Sequence, residues 1–153
     1  MELHPDLTDL LTEFEKSGVE YLVVGAWAVG IYAEPRFTKD LDLLVGTGAE
    51  NLARVVAALE RYGAPRALID DVRTMTREEF VFLGVPPARI NLLGKISGVE
   101  NFEAAWSRRK TIDWNGIAVH VIGLDDLRDA KRAAGRPKDL ADLRSLERFE
   151  RRS

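Results

Sequence analysis

Asp40 and Asp42 are separated by one leucine in the run Asp40-Leu41-Asp42-Leu43-Leu44-Val45. Alternate residues of an extended strand share a face. Both carboxylates then point one way, with Leu41 and Leu43 buried behind them. Two like charges held side by side repel unless a cation or a basic group joins them. Hard oxygen donors suit Mg²⁺, which takes one or two carboxylates together with waters and substrate phosphates. A calcium loop of the EF-hand type is excluded, because Leu44 and Val45 stand where a ligand and a glycine are required. The plain alternative is a surface strand whose aspartates are solvated, or paired with Arg36 or Lys39.

A second feature lies upstream. Tyr21 to Val24 reads as a short buried strand, Gly25 breaks it, and Ala26 to Tyr32 reads as a helix. A strand, a glycine turn and a helix point the free N–H groups of the first helical turn at one place, where an anion is favoured. Gly25-Ala26-Trp27-Ala28-Val29-Gly30 fails the dinucleotide pattern G-x-G-x-x-G. It also fails as a P-loop, because Ile31-Tyr32 follows where lysine and a hydroxyl residue belong. By itself the glycine can simply allow a tight turn.

The combination is more specific than either part. Gly25-Ala26, the stretch 27–39, and then Asp40-Leu41-Asp42-Leu43 resemble the signature of the nucleotidyltransferase superfamily related to DNA polymerase β. The context "EPRFTKDLDLLV" and the tail "LDDLRDAKRAAGRPKDLADLRSLE" resemble its small bacterial and archaeal members. The resemblance runs from about Val23 to Leu146.

That resemblance implies an α/β (α+β) fold, a short mixed sheet with helices packed against it. It implies that Gly25 and Ala26 meet the triphosphate of an NTP, and that Asp40 and Asp42 hold Mg²⁺ or Mn²⁺. An acceptor hydroxyl then attacks the α-phosphate and pyrophosphate leaves. Two departures from the pattern stand out. Ala26 replaces the usual Gly or Ser, so a hydroxyl contact is lost and a positive φ there would be strained. Asn91, in Arg89-Ile90-Asn91-Leu92-Leu93, stands where the family carries a third carboxylate. An amide oxygen can coordinate, but it carries no charge and cannot act as a general base. Asp70, Asp71, Glu78, Glu79 and Asp113 are the other carboxylates that could substitute.

Lys131 follows Leu127 by four and Leu124 by seven, so it interrupts an apolar helical stripe. A lysine there must snorkel, pair or meet a ligand. By resemblance, Lys131, Arg136 and Lys138 lie near the phosphates. Salt bridges such as Lys131 with Asp139 are the alternative. His4 and His120 lack a zinc-like spacing and read as structural.

The expectation is therefore NMP transfer from an NTP to the hydroxyl of an RNA, a protein or a small molecule, impaired by Asn91. The alternative is an inactive module that binds nucleotide or a partner, such as a subunit of a toxin–antitoxin system. A protein partner or a homo-oligomer is a further expectation.

The rest of the chain must position these residues. Periodicity predicts helices from Pro5 toward Gly18, from Ala49 to Tyr62, over "VENFEAAWSRR", from Leu124 to Ala134, and from Pro137 onward with Leu140, Leu143, Leu146 and Phe149 as its stripe. Pro35 is expected to end the helix after Gly25. "EFVFLG" and "ARINLLGKI" read as strands joined across Val85-Pro86-Pro87. "KTIDWNGIAVHVI" reads as a hairpin turning at Asn115-Gly116. Residues 64–78 give no clear signal.

The 153 residues suit one domain, 1–153, closed by a helical pair over 124–150. There is no cysteine, so thiolate metal sites are excluded, and a cytoplasmic setting is expected. No apolar run approaches the roughly 20 residues that span a bilayer, so no membrane association is expected. The net charge of −3 speaks against a dedicated nucleic-acid binder.

Overall fold

The computed structural model describes residues 3–34 and 40–152. Pro35, Arg36 and Lys39, read above as a helix stop and as partners for the aspartates, lie outside the described residues.

Six strands form one mixed sheet: β1 (Tyr21–Val24), β2 (Asp40–Val45), β3 (Phe80–Leu83), β4 (Arg89–Leu93), β5 (Lys110–Trp114) and β6 (Ile117–Val121). Their spatial order is β3-β4-β2-β1-β6-β5. β1 is antiparallel to β2 and parallel to β6; β2 is parallel to β4. The two outer pairs, β3–β4 and β5–β6, are antiparallel. Asn115 and Gly116 both have positive φ, 53° and 88°, as the two-residue turn between β5 and β6 requires.

Seven helices accompany the sheet: α1 (Pro5–Ser17), α2 (Gly25–Tyr32), α3 (Ala49–Tyr62), α4 (Arg66–Arg73), α5 (Phe102–Ser107), α6 (Leu124–Ala134) and α7 (Pro137–Arg152). α1 packs on α3 and α3 on α4, while α2 touches β1, β2, α6 and α7. The core is built from Leu7, Leu10 and Phe14 of α1, the whole of β1, Leu41, Leu43, Leu44 and Val45 of β2, Ile90 and Leu92 of β4, and Val55 and Leu59 of α3. Buried Asn51 ties the start of β1 to the end of β2. Its Oδ1 accepts from Glu20 N at 2.8 Å, and its Nδ2 donates to Glu20 O and Gly46 O at 3.0 and 2.7 Å.

The stretch 64–78, which gave no clear signal, holds a helix over 66–73, packed on α3 and β3. Two readings need correction. The strand through Asn91 stops at Leu93, because Gly94 turns the chain and donates its N–H to Glu79 O. The stripe of α7 does not face inward as drawn: Leu140 and Phe149 are 40% and 46% exposed. The buried positions include Asp139, Asp142 and Leu146. They are set three and four apart, which is one helical face. The partner of the two carboxylates is Lys131 on α6, and meeting it rotates α7 away from its apolar stripe.

Candidate functional site

Gly25 is where the chain leaves β1 and enters α2. Its φ is +67°, a region that side chains resist. The need for glycine is also spatial. A Cβ there would lie 2.7 Å from Oδ2 of Asp42. The strand-to-helix turn is thus pressed directly against one carboxylate of the pair. Ala26 is not among the positive-φ residues, so the strain expected there does not arise.

On β2, Leu41 and Leu43 are buried and Asp40 and Asp42 are half-buried on the opposite face. The register makes Val24, Asp42, Asn91 and Phe82 successive cross-strand neighbours. Such neighbours share a face of the sheet. Asn91 Nδ2 donates to Asp42 Oδ1 at 2.7 Å and reaches Asp40 Oδ2 at 3.4 Å. Oxygens of both aspartates thus converge on one atom. Burial pushes the Asp42 carboxyl above its ordinary value. The Asn91 bond works against this, the Asp40 charge adds to it, and Lys131 and Lys138 oppose it.

A divalent cation fits this donor set. Two hard carboxylate groups converge on a single position now filled by the weakly positive end of an amide. Among the described residues no group of three or more His, Cys, Asp or Glu is arranged to hold a metal ion. Among the described residues, a cation here would rest on Asp40 and Asp42, with the Asn91 side chain beside them as a further oxygen donor.

A cleft of about 520 Å³ opens beside Asp42. Gly25, Asp42, Lys131 and Arg136 line it, and so do Arg77, Lys95 and Ser97, which carried no sequence signal. Its apolar wall includes Leu93, Ile96, Leu127 and Ala130. Ala26, Asp40, Asn91 and Lys138 do not line it. Asp40 and Asn91 join through Asp42, and Lys138 is exposed but within electrostatic reach of that carboxylate.

Lys131 is 8% exposed. Its Nζ lies 3.2 Å from Asp139 Oδ1 and 3.0 Å from Asp142 Oδ2. The salt bridge with Asp139 is thus present, and a second carboxylate joins it. Arg136 also donates to Asp139, through Nε at 2.6 Å and through its backbone N–H at 3.2 Å. Burial opposes the charge on Asp139, but the bonds from Arg136 and Lys131 outweigh it and hold the carboxyl at about 2. These two cations border the cleft while anchored from behind.

None of the substitute carboxylates lines the cleft. Glu78 pairs with Lys95, Glu79 accepts from Thr76 N at 2.8 Å, and Asp113 caps the hairpin through Gly116 N at 2.7 Å. Asp70 pairs with Arg73 on α4, where Asp71 also lies. His4 accepts from Asp6 N at the start of α1, and His120 lies between Thr111 and Glu15, so both are engaged in structural contacts.

The sequence matches no protein-family model and no curated protein. Among solved structures, a proposed nucleotidyltransferase from Thermotoga maritima superposes with a TM-score of 0.59 at 16% identity, covering 96% of each chain. This chain has the nucleotidyltransferase fold. An antigenic nucleotidyltransferase-like protein from Paracoccidioides brasiliensis aligns at a TM-score of 0.48 and 14% identity, over 96% of this chain and 77% of its own. In the nucleotidyltransferase fold seen here, among the described residues, no helix is long and apolar enough to cross a membrane.

Proposed function

We propose that this chain is a small member of the DNA polymerase β-like superfamily that transfers NMP from an NTP to an acceptor hydroxyl. The observation that carries this reading is the contact between Gly25 and Asp42. It sets the first turn of α2 beside a carboxylate pair, at the mouth of a cleft bordered by Arg77, Lys95, Lys131 and Arg136. Amide N–H groups and cations on the cleft wall favour phosphates. The acceptor oxygen bonds to the α-phosphorus, the bond to the bridging oxygen breaks, and pyrophosphate departs with the electron pair. Asn91 cannot take up the hydroxyl proton at neutral pH, so that proton leaves to solvent. Asp40 and Asp42 would hold Mg²⁺ or Mn²⁺, which would offset the phosphate charge and ease ionisation of the acceptor.

The test is pyrophosphate release with each NTP and Mg²⁺ or Mn²⁺, over a panel of RNA, protein and small-molecule acceptors. Turnover that is lost in Asp42→Ala supports the reading. Equal background from wild type and variant sinks it.

A second reading is favoured by Asn91, whose amide donates to Asp42 and reaches Asp40 where the resemblance implies a third carboxylate. On that reading the chain binds nucleotide, or a partner as in a toxin–antitoxin pair, without chemistry. Titration calorimetry separates the two: NTP binding without turnover supports the module, and sustained turnover removes it.

A further inference from the structure

Arg89 lies two residues before Asn91 on β4, opposite Asp40 in the parallel register. Its Nε donates to Asn91 Oδ1 at 3.3 Å and lies 4.0 Å from Asp40 Oδ2. Its guanidinium carbon sits 4.3 Å from the ring centroid of Phe82, the cross-strand neighbour of Asn91. That contact restricts where the guanidinium can go.

An amide has one accepting end and one donating end. A guanidinium only donates, so the end of Asn91 that meets Arg89 must be its oxygen. The NH₂ end is left for the carboxylates, and both are within its reach. The acceptor-only carboxylates ask for the same orientation, so Asn91 is held from both ends, by Asp42 at its NH₂ and by Arg89 at its oxygen. Turned over, the same side chain would set an oxygen beside Asp40 and Asp42.

We propose that Arg89 is a positioning residue. It keeps the amide hydrogens of Asn91 on the Asp40–Asp42 pair and so sets how readily a divalent cation enters. This rests on the reading of that pair as a cation site. In the arrangement seen here a neutral donor supplies part of the charge a cation would bring, and an entering cation has to displace it. Arg89 holds the carbonyl oxygen, the one additional donor Asn91 could offer, on the far side.

The experiment is titration of the full chain with Mn²⁺ by calorimetry, over a cycle of wild type, Arg89→Met, Asn91→Ala and the double variant. Methionine keeps an unbranched side chain against Phe82 and removes the donor. Arg89→Met is expected to bind Mn²⁺ about three- to tenfold more tightly, the factor set by the net worth of one hydrogen bond. That gain is expected to vanish in the Asn91→Ala background. Equal tightening in both backgrounds would mean that Arg89 merely repels the cation through space, and would overturn the proposal. No tightening, with Mn²⁺ binding intact, would overturn it too. If no variant binds Mn²⁺, the cation site itself fails and the proposal with it.

A second readout needs no variant. In ¹⁵N-edited spectra of the wild-type protein, the Asn91 side-chain NH₂ signals are expected to shift as Mg²⁺ is added. Signals that stay in place while calorimetry reports Mg²⁺ binding would show that the amide is not displaced, and would end the proposal.

Discussion

Gly25 and Asp42 touch: a single carbon added to Gly25 would fall 2.7 Å from the Asp42 carboxylate. This contact joins the two features that stood apart in the sequence. It ties the start of a helix to one strand of a charged pair, and any side chain at position 25 would have to push that carboxylate aside.

Gly25→Ala is therefore expected to destabilise the fold. The left-handed backbone alone costs about 1–2 kcal/mol for a residue with a Cβ. The clash adds to this by pushing Asp42 off Asn91. Urea denaturation checks it: the midpoint should fall with the slope unchanged. An unshifted midpoint would mean that the turn can relax away from the strand.

Lys131→Met should be costlier than a typical substitution. It leaves Asp139 and Asp142 buried without their shared ammonium. Breaking one partner out of a buried ion network costs about 3–5 kcal/mol. Changing Lys131→Met together with Asp139→Asn and Asp142→Asn should recover most of the loss, since neutral partners need no counter-charge. If the single variant melts like wild type, the network is not what holds α6 to α7.

Much of this was legible in the sequence. Alternation fixed which face of β2 carries Asp40 and Asp42, and Asn115-Gly116 announced its hairpin. The family pattern put Asn91 on a neighbouring strand, and the register sets it directly across from Asp42. Other contacts could not be read, because they depend on elements far apart in the chain. Lys131 signalled a need for a partner by breaking its stripe. The sequence offers Asp139 as that partner; that α7 also turns Asp142 inward, at the expense of Leu140, is a result of helix packing. Arg77 reaches the cleft from the stretch that gave no clear signal, and Lys95 from just past Leu93, where β4 ends short of the strand read from the sequence. Arg89 is recognisable only once β3 brings Phe82 alongside it.

Asp42→Asn should make the metal-free protein more stable at neutral pH. Burial raises the Asp42 carboxyl above its value in the unfolded chain. The folded state thus holds the proton more tightly, and ionisation opposes folding. The contribution of this group is fully present below the ordinary aspartate range and is lost as pH rises through the raised value. Asparagine removes the ionisation and keeps an oxygen for the Asn91 bond. Denaturation at several pH values in a chelating buffer checks this. The wild type should lose stability relative to the variant as pH rises above the ordinary aspartate range, and a constant difference would remove the argument. A site residue whose loss stabilises the fold is one kept for function rather than for structure.

Asn91→Asp should turn a pair bridged by an amide into a cation-dependent site. Without metal, the new carboxylate would face Asp42 across a gap now spanned by a 2.7 Å hydrogen bond. The donor is gone and a like charge takes its place, so the apo protein should lose about 1–3 kcal/mol. Proton uptake by the trio would soften this loss at low pH. Mn²⁺ binds only the folded arrangement of three carboxylates, so adding it should raise the melting temperature in proportion to the logarithm of its concentration. The wild type should respond far less. The comparison is a pair of thermal melts, in chelator and in Mn²⁺, for each protein. A variant that melts like wild type in both would mean that residue 91 does not share a site with Asp40 and Asp42. A variant destabilised in chelator and rescued by Mn²⁺ would show that residue 91 shares a cation site with Asp40 and Asp42. Pyrophosphate release by the rescued protein would then show whether the charge is the only part missing.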